Sequence, residues 1–434
     1  MVAVCADMVG GICLNSISVL GGNQLYGKTC IQGSKNAVLP ILAATVLIQG
    51  TTIIHNCPQI SDVTHMLKLL EVMGCQVKQD KNVVSINASN ITSVILPEEY
   101  VDKMRSSIIL LGALLGRMGE AVIGYPGGCT IGERPIDLHK MALERMGATF
   151  EEENQVLVVR ANELQGIRIT LPIASVGATE NIILAAVTAK GYTQIFNCAM
   201  EPEIVALCTF LNKAGAKIYG VGTNHLVIEG SENLQEIEFQ IEPDRIVAGT
   251  YLLAGSAIGG DFFLENMPSR QLHRVIQYVE EMGVIVKREK EGVRITRQSG
   301  LQTIPFIETK QYPGFPTDLQ SPMIPLLLCA KGQCKIKESI FSSRFGVTKE
   351  LNQMGANIQV IDNYALVNGT RELKGNHVFA QDLRGGAALV IAGMVASGNT
   401  IISNIHYIER GYEDITHDLY DLGANIRKVS SRWV

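Results

Sequence analysis

The sequence lacks several features that would place a protein in a class at once. Its longest uncharged, mainly apolar stretches, at 37–48, 108–116 and 387–396, fall short of the roughly 18 residues that a membrane-spanning helix requires. It has no cluster of five or more Lys and Arg residues, and 37 basic against 42 acidic residues leave a net charge of −5. We therefore expect neither membrane insertion nor a broad nucleic-acid interface.

Metal-binding and disulfide patterns are also missing. The ten cysteines include no CxxC pair, and the eight histidines include no HExxH motif. We therefore expect reduced thiols and no metal ion or other cofactor. No Lys or Arg precedes Lys28, so the basic segment of a secretion signal is absent and the sequence favours a cytoplasmic location. Hydrophobic residues make up 47% of the 434 positions, which excludes disorder and allows two or three domains.

What the sequence does contain is one unit repeated six times. Each copy has a Leu or Val, a short polar stretch, a Gly and then an alternating run, as in LLEVMGCQV and FLNKAGAKI. The glycines are Gly74, Gly147, Gly215, Gly283, Gly355 and Gly423. Their spacing of 68 to 73 residues is regular and too long for a solenoid repeat.

Each unit predicts the order helix, strand, helix, strand, strand. The first helix is almost entirely apolar, as in NAVLPILAATVL, whereas the second is amphipathic and ends at the repeated Gly. In the first unit we expect Ser61 to cap the second helix. Buried first helices surrounded by sheets would give an α/β fold of two domains with three units each.

The chain ends too early to complete the sixth unit, because only one strand fits after Gly423. We expect residues 16–20 to supply the missing strand. The first domain would then span 34–242, and the second, discontinuous domain would combine 1–33 with 243–434. A cleft between the two domains is the natural ligand site.

Residues 22–29, GNQLYGKT, match the phosphate-loop pattern GxxxxGK[ST]. A nucleotide hydrolase must therefore be considered. However, Lys28 and Thr29 lead into CIQG rather than a helix, and no apolar strand ends in an Asp that could hold magnesium. A strand pair with a turn at Gly21 and Gly22 is the better interpretation.

Other segments carry stronger chemical signals. Lys35 follows Gly33-Ser34 at the start of the first buried helix, where free N–H groups and a cation favour an anion, although an ordinary capped helix would look the same. Cys129 lies in a glycine-rich loop five residues before Arg134, which is typical of a reactive thiol.

Charged residues recur at the starts of other helices. Asp318 lies in a Pro/Gly turn directly before a buried helix, and Asp382 with Arg384 and Glu409 with Arg410 begin helices of the last unit. Each could be only a cap or an ion pair. Their recurrence at equivalent places in the repeats favours an anion-binding site.

Together, GSKNAVLP, MRSS, PGGCTIGERPIDLH, SVGATEN, PGFPTDLQ, SRF, DLRGGAALV and ERGYE resemble the UDP-N-acetylglucosamine 1-carboxyvinyltransferases. The match runs from about Gly21 to the end of the chain. The resemblance implies a two-domain inside-out α/β barrel. It also implies transfer of the enolpyruvyl group of phosphoenolpyruvate to the 3-hydroxyl of UDP-N-acetylglucosamine, the first committed step of peptidoglycan synthesis.

The resemblance also implies residue roles. Asp318 would be the base and Cys129 the acid, with Cys129 also the site of alkylation by fosfomycin. The implied catalytic set is Cys129, Asp318, Lys35, Arg410 and Asp382. The implied substrate-binding set is Lys35, Asn36, Arg105, Arg134, Pro135, Ile136, Asp137, Leu138, Ser175, Val176, Gly177, Asp318, Ile340, Arg344, Arg384 and Arg410.

Some positions depart from the family. Ser61 and Ile173 stand where some members have lysine, which affects loop closure and diphosphate contacts rather than the reaction class. Two rival functions stay open at this point. One is a sibling enzyme with another acceptor, such as shikimate 3-phosphate. The other is a protein that binds the sugar nucleotide without turnover.

Overall fold

The computed structural model describes residues 15–124, 136–153, 156–231, 233–298, 300–369 and 372–430. Within these ranges the strands form six four-stranded sheets, all with the same order. Three sheets, written in spatial order, come from one part of the chain: Ile237–Gln240, Thr51–His55, Val83–Asn87 and Gln76–Asp80; Ile95–Leu96, Glu120–Gly124, Val156–Arg160 and Thr149–Glu153; and Arg168–Thr170, Tyr192–Phe196, His225–Glu229 and Lys217–Tyr219.

The other three sheets follow the same plan. They are Lys28–Cys30, Gly260–Glu265, Gly292–Arg297 and Ile285–Glu289; Phe306–Glu308, Gln333–Lys337, Tyr364–Asn368 and Asn357–Ile361; and His377–Phe379, Asn399–Ser403, Asn15–Leu20 and Asn425–Ser430. The last sheet confirms the predicted role of the N-terminal strand. Asn15–Leu20 pairs antiparallel with both Asn399–Ser403 and Asn425–Ser430.

Each unit contains one strand more than the sequence pattern predicts. A short strand of two to four residues pairs in parallel with the strand that follows the apolar helix. The predicted unit was incomplete because such a segment buries only one or two side chains, too few to show an alternating pattern. Lys28–Cys30 is one of these strands. Lys28 and Thr29 therefore do not begin a helix, and the phosphate-loop interpretation is wrong.

The apolar helices are buried between the sheets, as the pattern predicts. They are Lys35–Ala44, Leu110–Met118, Val176–Ala186, Arg245–Ile258, Gln320–Leu328 and Leu383–Val395. In Val176–Ala186, for example, every residue from Ala178 onward is buried. An α-helix with no polar face is stable only where protein surrounds it. The structure therefore has helices inside and sheets outside.

The second helix of each unit packs on its sheet and ends at the repeated glycine. These helices are Ser61–Val72, Asp137–Arg145, Pro202–Lys213, His273–Glu281, Thr348–Gln353 and Ile415–Asp421. All six repeated glycines have φ between 97° and 104°, the left-handed conformation that glycine adopts without strain. The expected cap by Ser61 is wrong, because the helix already begins at Ser61 and Ile60 takes the capping position without a side-chain hydrogen bond.

The remaining short helices connect these elements. They are the α-helical turn Glu98–Val101 and the 3₁₀ segments Thr45–Leu47, Arg105–Ile109, Ser269–Leu272, Thr317–Leu319 and Ile405–Arg410. Three of these segments carry residues of the candidate site. Arg105 begins one, Asp318 lies at the centre of another, and Arg410 ends a third.

The buried apolar side chains form two separate clusters. One contains residues between 37 and 241, and the other combines residues 17–31 with residues 246–426. No sheet in the described ranges takes strands from both groups. The candidate site lies where helix starts from the two groups meet.

Candidate active site

Lys35 occupies the first turn of a buried helix. Ser34 caps this helix by accepting a hydrogen bond from the Ala37 backbone N–H, and the Lys35 backbone N–H donates to Asp244 over 2.9 Å. The Lys35 side chain is buried, and its Nζ lies 2.8 Å from Oδ2 of Asp62. The cation is therefore held at a helix N-terminus, where the backbone also favours an anion.

Asp62 joins Lys35 to a second cation. Arg410 Nε donates to Asp62 Oδ1 over 2.9 Å, and Arg410 Nη2 donates to Oδ2 over 3.3 Å. Asp62 is 1% exposed. Burial alone would raise the pKa of this carboxyl, but Lys35 and Arg410 outweigh it and hold the pKa below its usual value.

Asp318 forms a second group with two arginines. Its Oδ1 accepts a hydrogen bond from Arg344 Nη2 over 2.7 Å, and its Oδ2 accepts one from Arg384 Nη2 over 3.0 Å. Both arginines are buried. Burial would raise the pKa of Asp318, but Arg384, Arg344 and the nearby Lys35 hold it well below its usual value. Asp318 is therefore ionised at neutral pH.

A buried hydrogen-bond network lies behind Arg384. Arg384 Nη1 donates to the Tyr412 hydroxyl over 3.4 Å, and that hydroxyl is 2.8 Å from Oγ1 of Thr250. Asp382, a predicted catalytic residue, caps the helix Leu383–Val395 by accepting from the N–H groups of Arg384 and Gly385 over 2.9 Å each. Asp382 therefore fixes the backbone from which Arg384 extends.

The two ion-pair groups are electrostatically coupled. Burial lowers the pKa of Lys35, Asp62 raises it, and Arg410 and Arg384 lower it further. Lys35 in turn lowers the pKa of Asp318. Four cations thus surround two carboxylates within one region, although charged residues make up only 18% of the chain.

A second group of predicted residues gathers around His139. Asp137 is the first residue of the helix Asp137–Arg145, and His139 Nδ1 lies 2.7 Å from Nδ2 of Asn181 in the helix Val176–Ala186. Burial, followed by the charge of Arg105, lowers the pKa of His139 to about 4. The imidazole is therefore neutral at pH 7.

The predicted residues Ser175, Val176 and Gly177 begin the helix that carries Asn181. Ser175 caps it, and a Cβ on Gly177 would lie 3.2 Å from the His139 ring, which leaves no room for a larger residue. The segment Arg105–Ile109 packs against this helix and against Lys35–Ala44. It therefore connects the two groups of candidate residues.

Three further predicted residues lie in the described ranges without a printed side-chain partner that defines a role. Asn36 is half-buried in the helix that begins at Lys35. Ile136 and Leu138 are half-buried at the start of Asp137–Arg145. Ile340 is half-buried, and its N–H donates to Glu338 over 2.8 Å. Cys129, Arg134 and Pro135 lie outside the described residues.

The structure adds Asp62 and Tyr412 to the site residues found from sequence. Asp62 follows Ser61 near the start of an amphipathic helix, where an acid usually means a favourable helix dipole and nothing more. The available signal was its place in the repeat. Arg344 and Arg410 also precede the second helix of their units. Tyr412 showed no signal, because its partners are distant in sequence.

Another set of buried charges connects the two halves of the chain. Arg245 Nη2 is 3.1 Å from Oε1 of Glu203, and the Tyr312 N–H donates to Glu201 over 3.2 Å. Burial and the charge of Glu203 raise the pKa of Glu201, and burial raises that of Glu180 well above its usual value. This interface contains more carboxylates than cations.

The described residues contain no group of three or more His, Cys, Asp or Glu side chains arranged to hold a metal ion. In the same part of the chain, no helix is both long and apolar enough to cross a membrane.

Comparison with known proteins places this arrangement in context. A family model described as EPSP synthase (3-phosphoshikimate 1-carboxyvinyltransferase) matches residues 19–419. The UDP-N-acetylglucosamine 1-carboxyvinyltransferase 2 of Caldanaerobacter subterraneus subsp. tengcongensis is 42% identical over 416 residues, which are 96% of this chain and 100% of the relative. The UDP-N-acetylglucosamine 1-carboxyvinyltransferase of Halothermothrix orenii is 44% identical over 411 residues, or 95% and 99% of the two chains.

Solved structures show the same architecture. The enolpyruvyl transferase NikO from Streptomyces tendae matches with a TM-score of 0.87 and 25% identity, covering 97% of this chain and 100% of that one. An EPSP synthase from Acinetobacter baumannii matches with a TM-score of 0.74 and 21% identity, over 96% and 100% of the two chains. The predicted two-domain α/β fold class is confirmed.

Proposed function

Because this chain belongs to the EPSP synthase family and, within it, to the UDP-N-acetylglucosamine 1-carboxyvinyltransferases, we propose that its reaction takes place at the residues around Lys35, Asp62 and Asp318. The enzyme transfers the enolpyruvyl group of phosphoenolpyruvate to the 3-hydroxyl of UDP-N-acetylglucosamine and releases phosphate, a step of peptidoglycan synthesis. The observation that supports the location is the meeting of four cations with two buried acids.

Phosphoenolpyruvate carries a phosphate and a carboxylate, so it requires several cations in fixed positions. Lys35 and Arg410 already bind one carboxylate, that of Asp62, and Arg384 binds that of Asp318. Guanidinium groups suit both anions of the substrate because they donate in pairs. We assign phosphoenolpyruvate to Lys35, Arg410 and Arg134, with Arg105 and Arg384 beside them.

The sugar nucleotide is assigned to the residues around His139 and to the Asp318 region. Arg105, Asp137 and the helix start at Ser175 lie close to the neutral His139. This set consists of Asn36, Arg105, Arg134, Pro135, Ile136, Asp137, Leu138, Ser175, Val176, Gly177, Asp318, Ile340 and Arg344. Its members contribute backbone N–H groups, amides and cations, which suit a uracil ring and a diphosphate.

The chemistry requires a base for the 3-hydroxyl and an acid for the methylene carbon. We assign the base to Asp318 and the acid to Cys129. In the free enzyme Arg344 and Arg384 make Asp318 a weak base. When the substrate anions bind Arg384, its pull on Asp318 weakens and the pKa of the carboxyl rises toward that of a useful base. Asp382 contributes by holding the backbone of Arg384.

The domain boundaries follow the same proposal. The first domain spans 34–242, and the second combines 1–33 with 243–434, with the active site in the cleft between them. The two separate apolar clusters support this division. Asp62 lies in the first part and Arg410 in the second, so their ion pair would cross the cleft.

We also propose a cytoplasmic location. In the described ranges Cys30, Cys57, Cys75, Cys198, Cys208, Cys329 and Cys334 are all free thiols. Free thiols are typical of a reducing compartment.

Identification of the product tests the function. The protein is incubated with phosphoenolpyruvate and either UDP-N-acetylglucosamine or shikimate 3-phosphate, and released phosphate and product mass are measured. We expect phosphate and an enolpyruvyl sugar nucleotide only with UDP-N-acetylglucosamine. Release only with shikimate 3-phosphate would indicate the sibling enzyme, and tight sugar-nucleotide binding without release would indicate a binding protein.

Fosfomycin tests the assignment of Cys129. We expect the inhibitor to add one covalent mass to the wild-type chain, located on Cys129 by peptide mass spectrometry, and to add nothing to Cys129→Ala. Cys30→Ala is the matched control, because Cys30 is another exposed thiol and its removal should leave labelling unchanged. Equal labelling of Cys129→Ala and the wild type would refute the assignment.

A further inference from the structure

Asp62 is the most deeply buried member of the ion-pair group, and the mechanism above gives it no chemical step. Its side chain is 1% exposed, whereas those of Lys35 and Arg410 are 11% and 18% exposed. The carboxylate therefore lies behind the two cations. A substrate anion that enters from solvent can reach the cations but not Asp62.

Each oxygen of Asp62 has a defined cation. Oδ2 lies 2.8 Å from Lys35 Nζ, and Oδ1 accepts from Arg410 Nε over 2.9 Å. The three residues belong to three elements that are far apart in the chain: Lys35–Ala44, Ser61–Val72 and Ile405–Arg410. One carboxylate thus sets the separation of two cations that would otherwise repel each other.

From this geometry we propose that Asp62 is a positioning residue for phosphoenolpyruvate, holding the Lys35 ammonium and the Arg410 guanidinium at the separation that the substrate anions require. The inference rests on the proposed function, because it takes Lys35 and Arg410 as the groups that bind this substrate. An ammonium has three donors and a guanidinium five, so both cations can bind Asp62 and a substrate oxygen together.

The charge of Lys35 depends on the same contact. Its neighbours are Asp62 on Ser61–Val72, Arg410 on Ile405–Arg410, Arg384 on Leu383–Val395 and Asp318 on Thr317–Leu319. Burial lowers the pKa of Lys35, as do Arg410 and Arg384, whereas Asp62 raises it. Removing the Asp62 charge lowers the pKa of Lys35 further, so this lysine loses its proton at a lower pH.

Asp62→Asn tests the proposal, because it keeps the shape of the side chain and removes the charge. We expect the KM for phosphoenolpyruvate to rise about 10- to 100-fold, the loss expected for a hydrogen bond between charged groups. The KM for UDP-N-acetylglucosamine should stay within about twofold, since its proposed binding residues do not contact Asp62. The alkaline limb of log kcat/KM for phosphoenolpyruvate should move to lower pH by about one unit or more.

Glu203→Gln is the matched control. Glu203 is also buried, also forms an ion pair with an arginine from the other half of the chain, and lies outside the proposed site. We expect it to lower thermal stability without moving the alkaline limb. If Asp62→Asn lowers stability in the same way and keeps the wild-type KM and pH profile, Asp62 is merely structural and the proposal is wrong, although turnover by both variants would still support the proposed function.

Asp62→Glu keeps the test decisive if the Asn variant does not fold. It retains the charge but displaces the carboxylate by one methylene group. We expect the KM for phosphoenolpyruvate to rise while the alkaline limb stays at its wild-type pH. A wild-type KM in Asp62→Glu would overturn the positioning role. Absence of sugar-nucleotide-dependent phosphate release from the wild type would instead overturn the proposed function.

Discussion

Replacing Asp318 by asparagine lowers kcat by about 100- to 10,000-fold, the range expected when a general base is removed, and leaves the affinity for UDP-N-acetylglucosamine within about tenfold. The amide keeps the size of the carboxylate but cannot take the proton of the 3-hydroxyl. Arg344 and Arg384 would lose their shared anion, so we also expect a lower thermal midpoint. Steady-state phosphate release and calorimetric titration with the sugar nucleotide measure the two effects separately.

Glu308→Gln is the control for this experiment. Glu308, like Asp318, is a carboxylate that contacts two cations, Lys310 and Lys337, but it lies on the strand Phe306–Glu308 outside the proposed site. We expect its kcat to remain close to that of the wild type. An Asp318→Asn variant that keeps more than about a tenth of the wild-type kcat would exclude Asp318 as the base.

Replacing Lys35 by glutamine lowers kcat/KM for phosphoenolpyruvate by about 100- to 1,000-fold, comparable to the loss of one donor that stabilises developing charge. Glutamine has nearly the length of lysine but no charge, and Asp62 would then be paired with Arg410 alone. Binding of UDP-N-acetylglucosamine should change little. Initial rates over a range of phosphoenolpyruvate concentrations, with calorimetry for the sugar nucleotide, check this expectation.

Lys28→Gln is the matched control for Lys35→Gln. Lys28 belongs to the segment that imitates a phosphate loop, but its side chain is 70% exposed and pairs with Glu265. We expect wild-type kinetics. Equal losses in the two variants would mean that the effect of Lys35→Gln is not specific to the site.

Much of the fold could be predicted because the repeat appears six times in the sequence. The apolar helices and the repeated glycines share one pattern in every unit, so each copy supports the others. The N-terminal strand could be placed because the sixth unit lacked a partner for Asn425–Ser430. The short parallel strands escaped, since a segment such as Lys28–Cys30 shows too little pattern to read.

The site was predicted unevenly for a related reason. Lys35, Asp318 and Arg384 stand out because a charge directly before an apolar helix is unusual. Asp62 begins an amphipathic helix, where an acid is ordinary, and only the structure shows that it is buried between two cations. The role of a charged residue depends on partners that are hundreds of residues away in sequence.

The most direct test of the account is the position of the sugar nucleotide in a crystal of Asp318→Asn grown with UDP-N-acetylglucosamine. The account predicts that the 3-hydroxyl lies within about 3 Å of the residue 318 side chain, with Lys35 and Arg410 on the side where phosphoenolpyruvate would bind. A sugar nucleotide bound elsewhere, with its 3-hydroxyl remote from both residue 318 and Lys35, would contradict it.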